Sequence, residues 1–396
     1  MSRSTFLEIR RLLMERLDLS RELEDGEILE IIDELIISYS KVHYLALKEM
    51  VQLRQELFYS IRKLDVLQEL IDDNEVTEIM VNGPGKIFVE RQGKLSLWDK
   101  EFTSQEKLED VIQQIVGRCN RVVNESMPIV DARLDNGARV NVVIPPVALD
   151  GPIMTIRRFP DTPITMKRLI ELGSITQECA DFLQKLVEAR YSLLIGGGTS
   201  SGKTTFLSAL SNYIPKDERI ITIEDNAELQ IQGVKNLVRM EAKMANMEGN
   251  REISIRDLIK TSLRMRPDRI ILGEVRGEEA SDLLTSFNTE HEGGIATLHS
   301  NSCRDTISRL ETMVLMGMEI PLEAIRRQIA SGVDILVHLG RLKDKSRKLL
   351  EVSEILGFTQ GEVQMQTLFS YDYRDGLQQV NDLQHTEKLE RAGITL

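Results

Sequence analysis

The stretch Gly197-Gly198-Thr199-Ser200-Ser201-Gly202-Lys203-Thr204-Thr205 carries the most explicit chemistry in the chain. It satisfies G-x-x-x-x-G-K-[ST], with an apolar strand-like run before it and a helix-forming run after it. Glycines let the backbone wrap an anion with its N–H groups turned inward, and the N-terminus of the following helix adds a positive dipole end. Lys203 is placed to reach β- and γ-phosphates, and the Thr204 hydroxyl to bind Mg²⁺. The expected ligands are ATP and Mg²⁺.

Acids follow where such a site needs them. Arg269-Ile-Ile-Leu-Gly-Glu274 is a buried-strand pattern ending in a carboxylate, the place of a Walker B acid. Gly273 stands just before it, which leaves Glu274 to hold the water shell of the metal, to orient the attacking water, or both. Glu224, Asp225 and Glu228 cluster after another strand pattern, and acids at such strand ends face the ligand crevice. One of them can take the proton of water attacking the γ-phosphate. His299 closes the run IATL and is placed to sense phosphate. The other histidines, at 43, 291, 338 and 385, show no ligand spacing.

Stepping strands and helices must position these groups. From about 166 onward, strand patterns SLLIGG, RIITIED, DRIILGE, GGIATLH and DILVHL alternate with helical stretches, which predicts a mostly parallel sheet covered by helices. The tail from Lys348 alternates well enough for an antiparallel pair. Residues 66 to about 160 read as an α+β domain: strands over 76–82 and 86–98, a charged helix over about 104–120, and a hairpin around Asp135-Asn136-Gly137. The segment 157–165, with Pro160 and Pro163, reads as the linker between the two domains. Residues 1–65 read as helix, with Phe6, Ile9, Leu13 and Leu17, then Ile28, Ile31, Ile32, Leu35 and Ile36, at helical spacing around a polar break at 24–27. Their apolar face is expected to pack on itself as a small bundle. The alternative use is a docking surface.

Composition excludes several other roles. The 396 residues carry a net charge of −13, against a coat on nucleic acid, so no stable nucleic-acid binding is expected. Cys119, Cys179 and Cys303 are scattered and cannot build a four-cysteine zinc site, so no zinc is expected. They read as reduced thiols of a cytoplasmic protein. The charged N-terminus lacks the apolar core of a signal peptide, and no run approaches the ~20 apolar residues that span a bilayer.

Taken in order, GGTSSGKTT, TIEDNAEL, RMRPDRIILGEVRGEEA and GGIATLHSNS resemble the Walker A motif, Asp box, Walker B motif and His box of the secretion ATPase superfamily. That superfamily drives type II secretion, type IV secretion and type IV pilus motors. The resemblance covers about residues 66–370, and DARLDNGARVNVVIPPVALDGPIMTIRRF looks like the family's N-terminal domain. With its helical extension, the whole chain is most similar to the tight-adherence (Flp) pilus assembly ATPases. The resemblance implies a RecA-like ATPase domain (161–396), a PAS-like N-terminal subdomain (66–160) and a helical extension (1–65). It also implies a homo-hexamer whose sites are completed by neighbouring subunits, held at the inner face of the membrane by a platform protein.

Carried over by position, Glu228 or Glu224 becomes the water-activating acid, Glu274 the Walker B carboxylate and His299 the His-box residue. Arg133, Arg139 and Arg158 become candidates for reaching the γ-phosphate, and Arg276 is a further phosphate-side candidate. A two-residue turn would put Arg133 and Arg139 on opposite faces of their hairpin, and a three-residue loop would align them. The missing four-cysteine insertion, and the absence of proline after Asp225, move the chain away from type II secretion and from the pilus extension and retraction motors. A type IV secretion ATPase moving protein or DNA is the alternative reading. A nucleotide-dependent switch or scaffold without useful turnover is the alternative of another class.

Overall fold

The computed structural model describes residues 3–17, 21, 23–91, 93–119, 121–134, 137–158, 163–243, 252–289 and 291–396. The chain forms two compact units, Met1–Asp161 and Thr162–Leu396.

The first unit opens with helices α1 (Arg3–Arg16), α2 (Asp25–Ser40) and α3 (Leu47–Arg62). Ile9 and Leu13, Ile28 and Ile32, and Leu53 and Leu57 repeat at i, i+4, so each helix turns one apolar stripe inward. All six are buried in a core that these helices share. The polar break at 24–27 is the start of α2, where Glu27 reaches back to accept from the Glu24 backbone N–H at 3.0 Å.

Beyond the bundle lie α4 (Leu67–Asp72), β1 (Val76–Asn82), β2 (Ile87–Arg91), β3 (Lys94–Leu97), α5 (Gln105–Arg118), β4 (Ile129–Arg133), β5 (Arg139–Val143) and β6 (Ile153–Arg157). The strands form one antiparallel sheet ordered β3-β2-β1-β6-β5-β4. The apolar face of α5 (Leu108, Val111, Ile112, Ile115) shares a core with Ile79, Val140, Met154 and Ile156 of the sheet. Strand β6 runs to Arg157, paired with Glu78 on one side and Arg139 on the other. The sheet therefore continues into the segment read as linker, because backbone pairing on both sides holds it extended. Pro160 lies outside the described residues.

The second unit contains α6 (Met166–Glu171), α7 (Gln177–Glu188), β7 (Leu193–Gly197), α8 (Lys203–Ser211), β8 (Ile220–Glu224), β9 (Leu237–Glu241), α9 (Ile255–Ser262), β10 (Arg269–Val275), α10 (Ala280–Phe287) and β11 (Ile295–Leu298). It continues with α11 (Cys303–Gly317), α12 (Leu322–Gly332), β12 (Ile335–Arg341), β13 (Arg347–Thr359), β14 (Glu362–Asp372), β15 (Gly376–Gln379) and α13 (Glu387–Ala392). The sheet order is β15-β14-β13-β12-β7-β11-β10-β8-β9.

Strands β12 to β9 in that order run parallel, as the alternation of strand and helix predicts. Strands β7, β8 and β11 are buried along their whole length, and separate apolar cores lie on the two faces of the sheet. That two-sided burial is what makes parallel strands read as continuous apolar runs. The tail forms three antiparallel strands instead of a pair, since short β15 adds to β14.

Candidate functional site

Strand order decides where a ligand can sit. The chain leaves β7 and returns in β8, yet β11 and β10 lie between them. The carboxyl end of β7 is thus a topological switch point, where open α/β sheets leave a crevice. There the chain turns through exposed Gly198, Thr199 and Ser200 into α8. Ser200 has φ 59° and Gly202 φ 93°, so the loop closes through two left-handed residues. Ser201 is buried, and Thr204 and Thr205 are half-buried on the first turn of α8.

Lys203, the first residue of α8, is only 8% exposed. Its Nζ donates to the carbonyls of Gly197 (3.0 Å) and Gly198 (3.1 Å) and lies 3.4 Å from Nδ1 of His299. Burial lowers its pKa, and Glu274 opposes that shift.

The neighbouring strands supply the rest. Nε2 of His299, just past β11, lies 2.7 Å from Oε1 of Glu274 near the end of β10. Arg276 donates from Nε to Oε2 of the same carboxylate at 2.9 Å, and pairs with Asp225 at 3.0 Å. A continuous polar chain results: loop carbonyls, Lys203, His299, Glu274, Arg276, Asp225. Burial, then the nearby ammonium of Lys203, pulls the His299 pKa below its ordinary value, while Glu274 pulls the other way. The imidazole is therefore neutral at pH 7 and can exchange hydrogen bonds in both directions.

Glu224 and Glu228 part company. Glu224 ends β8, is 2% exposed, and accepts from the backbone N–H groups of Glu228 (2.9 Å) and Leu229 (2.8 Å). Burial pushes its pKa up to about 7, against the pull of those two N–H groups. Its carboxylate ties the next turn of the Asp box in place. A Cβ on Gly273 would come 2.9 Å from Cγ of Glu224. The glycine before Glu274 is thus a steric requirement of the buried acid, which the sequence pattern alone did not reveal. Glu228 is half-buried, and its charge is among those that favour the cationic form of Arg276.

In the first unit, Arg133 pairs directly with Arg139 across β4 and β5, and Leu134 donates to Ala138 at 2.9 Å. The loop between them is the three-residue kind, so the two arginines share a face. Asp135 and Asn136 lie outside the described residues. Arg139 pairs in turn with Arg157 on β6, giving three arginines side by side in adjacent strands. Arg157 was missed because the sequence placed it at the start of a linker. Arg158 points elsewhere: its guanidinium donates to the Asp73 carbonyl and to Asn74 Oδ1.

Sequence reading also missed Arg347, which donates from Nε to the Ser200 carbonyl at 3.1 Å. Nothing in a local pattern could link residues 147 apart in sequence. Among the described residues no histidine, cysteine and carboxylate group stands ready as a metal cage, and the three cysteines are free thiols. The oxygen donors Thr204 and Glu274 suit a hard cation such as Mg²⁺ that keeps most of its waters.

A phosphate loop at the switch point of a parallel sheet, with lysine, acid and histidine converging from adjacent strand ends, defines a P-loop ATPase domain. The chain belongs to the Type II/IV secretion system protein family, whose model matches residues 61–388. A Mycobacterium tuberculosis protein described under conjugal transfer is 33% identical over 313 residues, covering 78% of this chain and 88% of its own length. The type IV secretion system protein VirB11 of Brucella suis is 33% identical over 303 residues, covering 70% and 84%. The crystal structure of the Legionella pneumophila ATPase DotB shares the fold, with a TM-score of 0.53 at 20% identity over 72% of this chain and 78% of that one.

Proposed function

We propose that the chain is a Mg²⁺-dependent ATPase motor that powers Flp-type pilus assembly or secretion through a platform in the inner membrane. The observation that carries the ATPase part of this reading is the polar chain from Lys203 through His299 and Glu274 to Arg276, and the Flp assignment rests on the resemblance of the motifs. Every member must exchange partners when a nucleotide triphosphate arrives. Lys203 would leave the loop carbonyls for phosphate oxygens, and Glu274, released from Arg276, would hold the water shell of Mg²⁺. His299, joined to both, registers the change.

In hydrolysis a water attacks the γ-phosphate in line, ADP leaves, and Glu228 takes the proton of the water. Glu224 acts through the backbone that carries Glu228. Thr204, and Glu274 through the water shell, would hold Mg²⁺, which would offset phosphate charge. Arg133, Arg139 and Arg157 form a cationic row suited to a γ-phosphate presented by another domain or subunit. The partners in this reading are five further copies of the chain and a membrane platform protein. The place of work is the cytoplasmic face of the inner membrane.

Type IV secretion is the second reading. The descriptions of the Brucella and Mycobacterium relatives favour it over pilus assembly. Purified protein should hydrolyse ATP with Mg²⁺. Lys203→Ala should abolish binding or turnover, and Glu274→Gln should keep binding while losing turnover. Normal hydrolysis by Glu274→Gln would remove Glu274 from the site.

A further inference from the structure

Most cations described around the phosphate loop are already spoken for. Lys203 is held by two carbonyls beside His299, and Arg276 bridges Glu274 and Asp225. The hairpin joining β12 and β13 differs. Between 341 and 348 it carries Arg341, Lys343, Lys345, Arg347 and Lys348, the last held by the Gly173 carbonyl, against Asp344 alone, in a chain of net charge −13. Asp344 turns inward on its own turn, accepting from the Ser346 hydroxyl at 2.7 Å. Arg341 and Arg347 are direct cross-strand partners, a like-charge pair that weakens a hairpin unless an anion lies close.

Arg347 also touches the loop itself. Its Nε donates to Ser200, the left-handed residue at the loop's tip, and its Cδ lies 3.4 Å from where a Cβ on Gly202 would stand. The side chain is exposed, and among the described residues it forms no ion pair. One nitrogen of a five-donor fork is committed, and it is held against the backbone of the phosphate loop at Ser200.

We propose that Arg347 is a phosphate ligand of the bound nucleotide, supplied by the chain's own β12–β13 hairpin. The contact with Ser200 pre-orders the guanidinium, so its remaining N–H groups meet phosphate oxygens as the nucleotide enters. Arg341 opposite adds to the local positive potential. This assignment rests on the nucleotide reading of the loop.

The test separates charge from shape. ATP and ADP affinities are measured by calorimetry for the full chain and for Arg347→Ala, Arg347→Gln and Arg347→Lys. Glutamine keeps an N–H for Ser200 but no charge. A phosphate ligand makes Gln nearly as weak as Ala, roughly ten- to a hundredfold below the parent for ATP, with Lys recovering much of the loss. Parent-like binding by Gln, with Ala weak, would reduce Arg347 to a support for loop shape. Parent-like binding by all three would remove it from the site. Failure of the parent chain to bind ATP would instead overturn the nucleotide reading beneath it.

Discussion

Glu224 and Glu228 stand four residues apart in one acidic motif and sit in different surroundings. The sequence shows three acids after a strand. It does not show that the first is sealed beneath the motif's own backbone. Burial is a property of the whole sheet, which is why this distinction was illegible. Glu228→Gln should keep ATP affinity and lower turnover by roughly 10²- to 10⁴-fold, the usual worth of a positioned general base, as read by steady-state kinetics. Glu224→Gln should show itself in stability. The folded pKa of Glu224, about 7, lies above its ordinary 4.5, so the folded chain holds this proton more tightly than the unfolded chain. Its contribution is most favourable below pH 4.5 and is lost as pH rises through 7. The full loss amounts to about 3 kcal/mol, and a glutamine, always neutral, should flatten that part of the pH profile in urea melts. An unchanged profile would mean that Glu224 titrates normally.

At the scale of elements, legibility followed burial. Five of the parallel strands announced themselves, because a strand covered on both faces is apolar at almost every position. Strand β9 did not. It lies at the sheet edge, with no residue fully buried in LVRME. The arginine hairpin was half legible: its two strands were foreseen, and its register waited on a loop length that sequence left open. Spacing between elements adds constraints that no local pattern encodes. Gly273 on β10 sits against Glu224 on β8, the neighbouring strand. Gly273→Ala should therefore force Glu224 off its seat, costing about 1–3 kcal/mol in denaturant titrations and lowering turnover through the displaced Asp-box turn. Unaltered stability would show that the carboxylate has room to move.

At the scale of the molecule, the residues proposed for one reaction are divided between the two compact units. The loop, Glu228, Glu274 and His299 belong to Thr162–Leu396, and the row Arg133, Arg139 and Arg157 belongs to Met1–Asp161. The row lies side by side on adjacent strands, with Glu78 opposite Arg157 at its β1 end, and its positive charge is suited to meeting an anion. In the proposed ring that anion is the γ-phosphate, and an arginine from a neighbouring copy completes the site. Specific ATPase rate should then rise steeply with protein concentration, since a lone chain lacks part of its own catalytic charge. Arg139→Ala and Arg157→Ala should lower the plateau rate without shifting the unfolding midpoint. Mixing either variant with Lys203→Ala chains provides the decisive case. If sites form between copies, the mixture turns over faster than the average of its parts, because some interfaces pair an intact loop with an intact arginine row. If each chain works alone, the mixture shows only that average, and the rate per chain is flat with concentration.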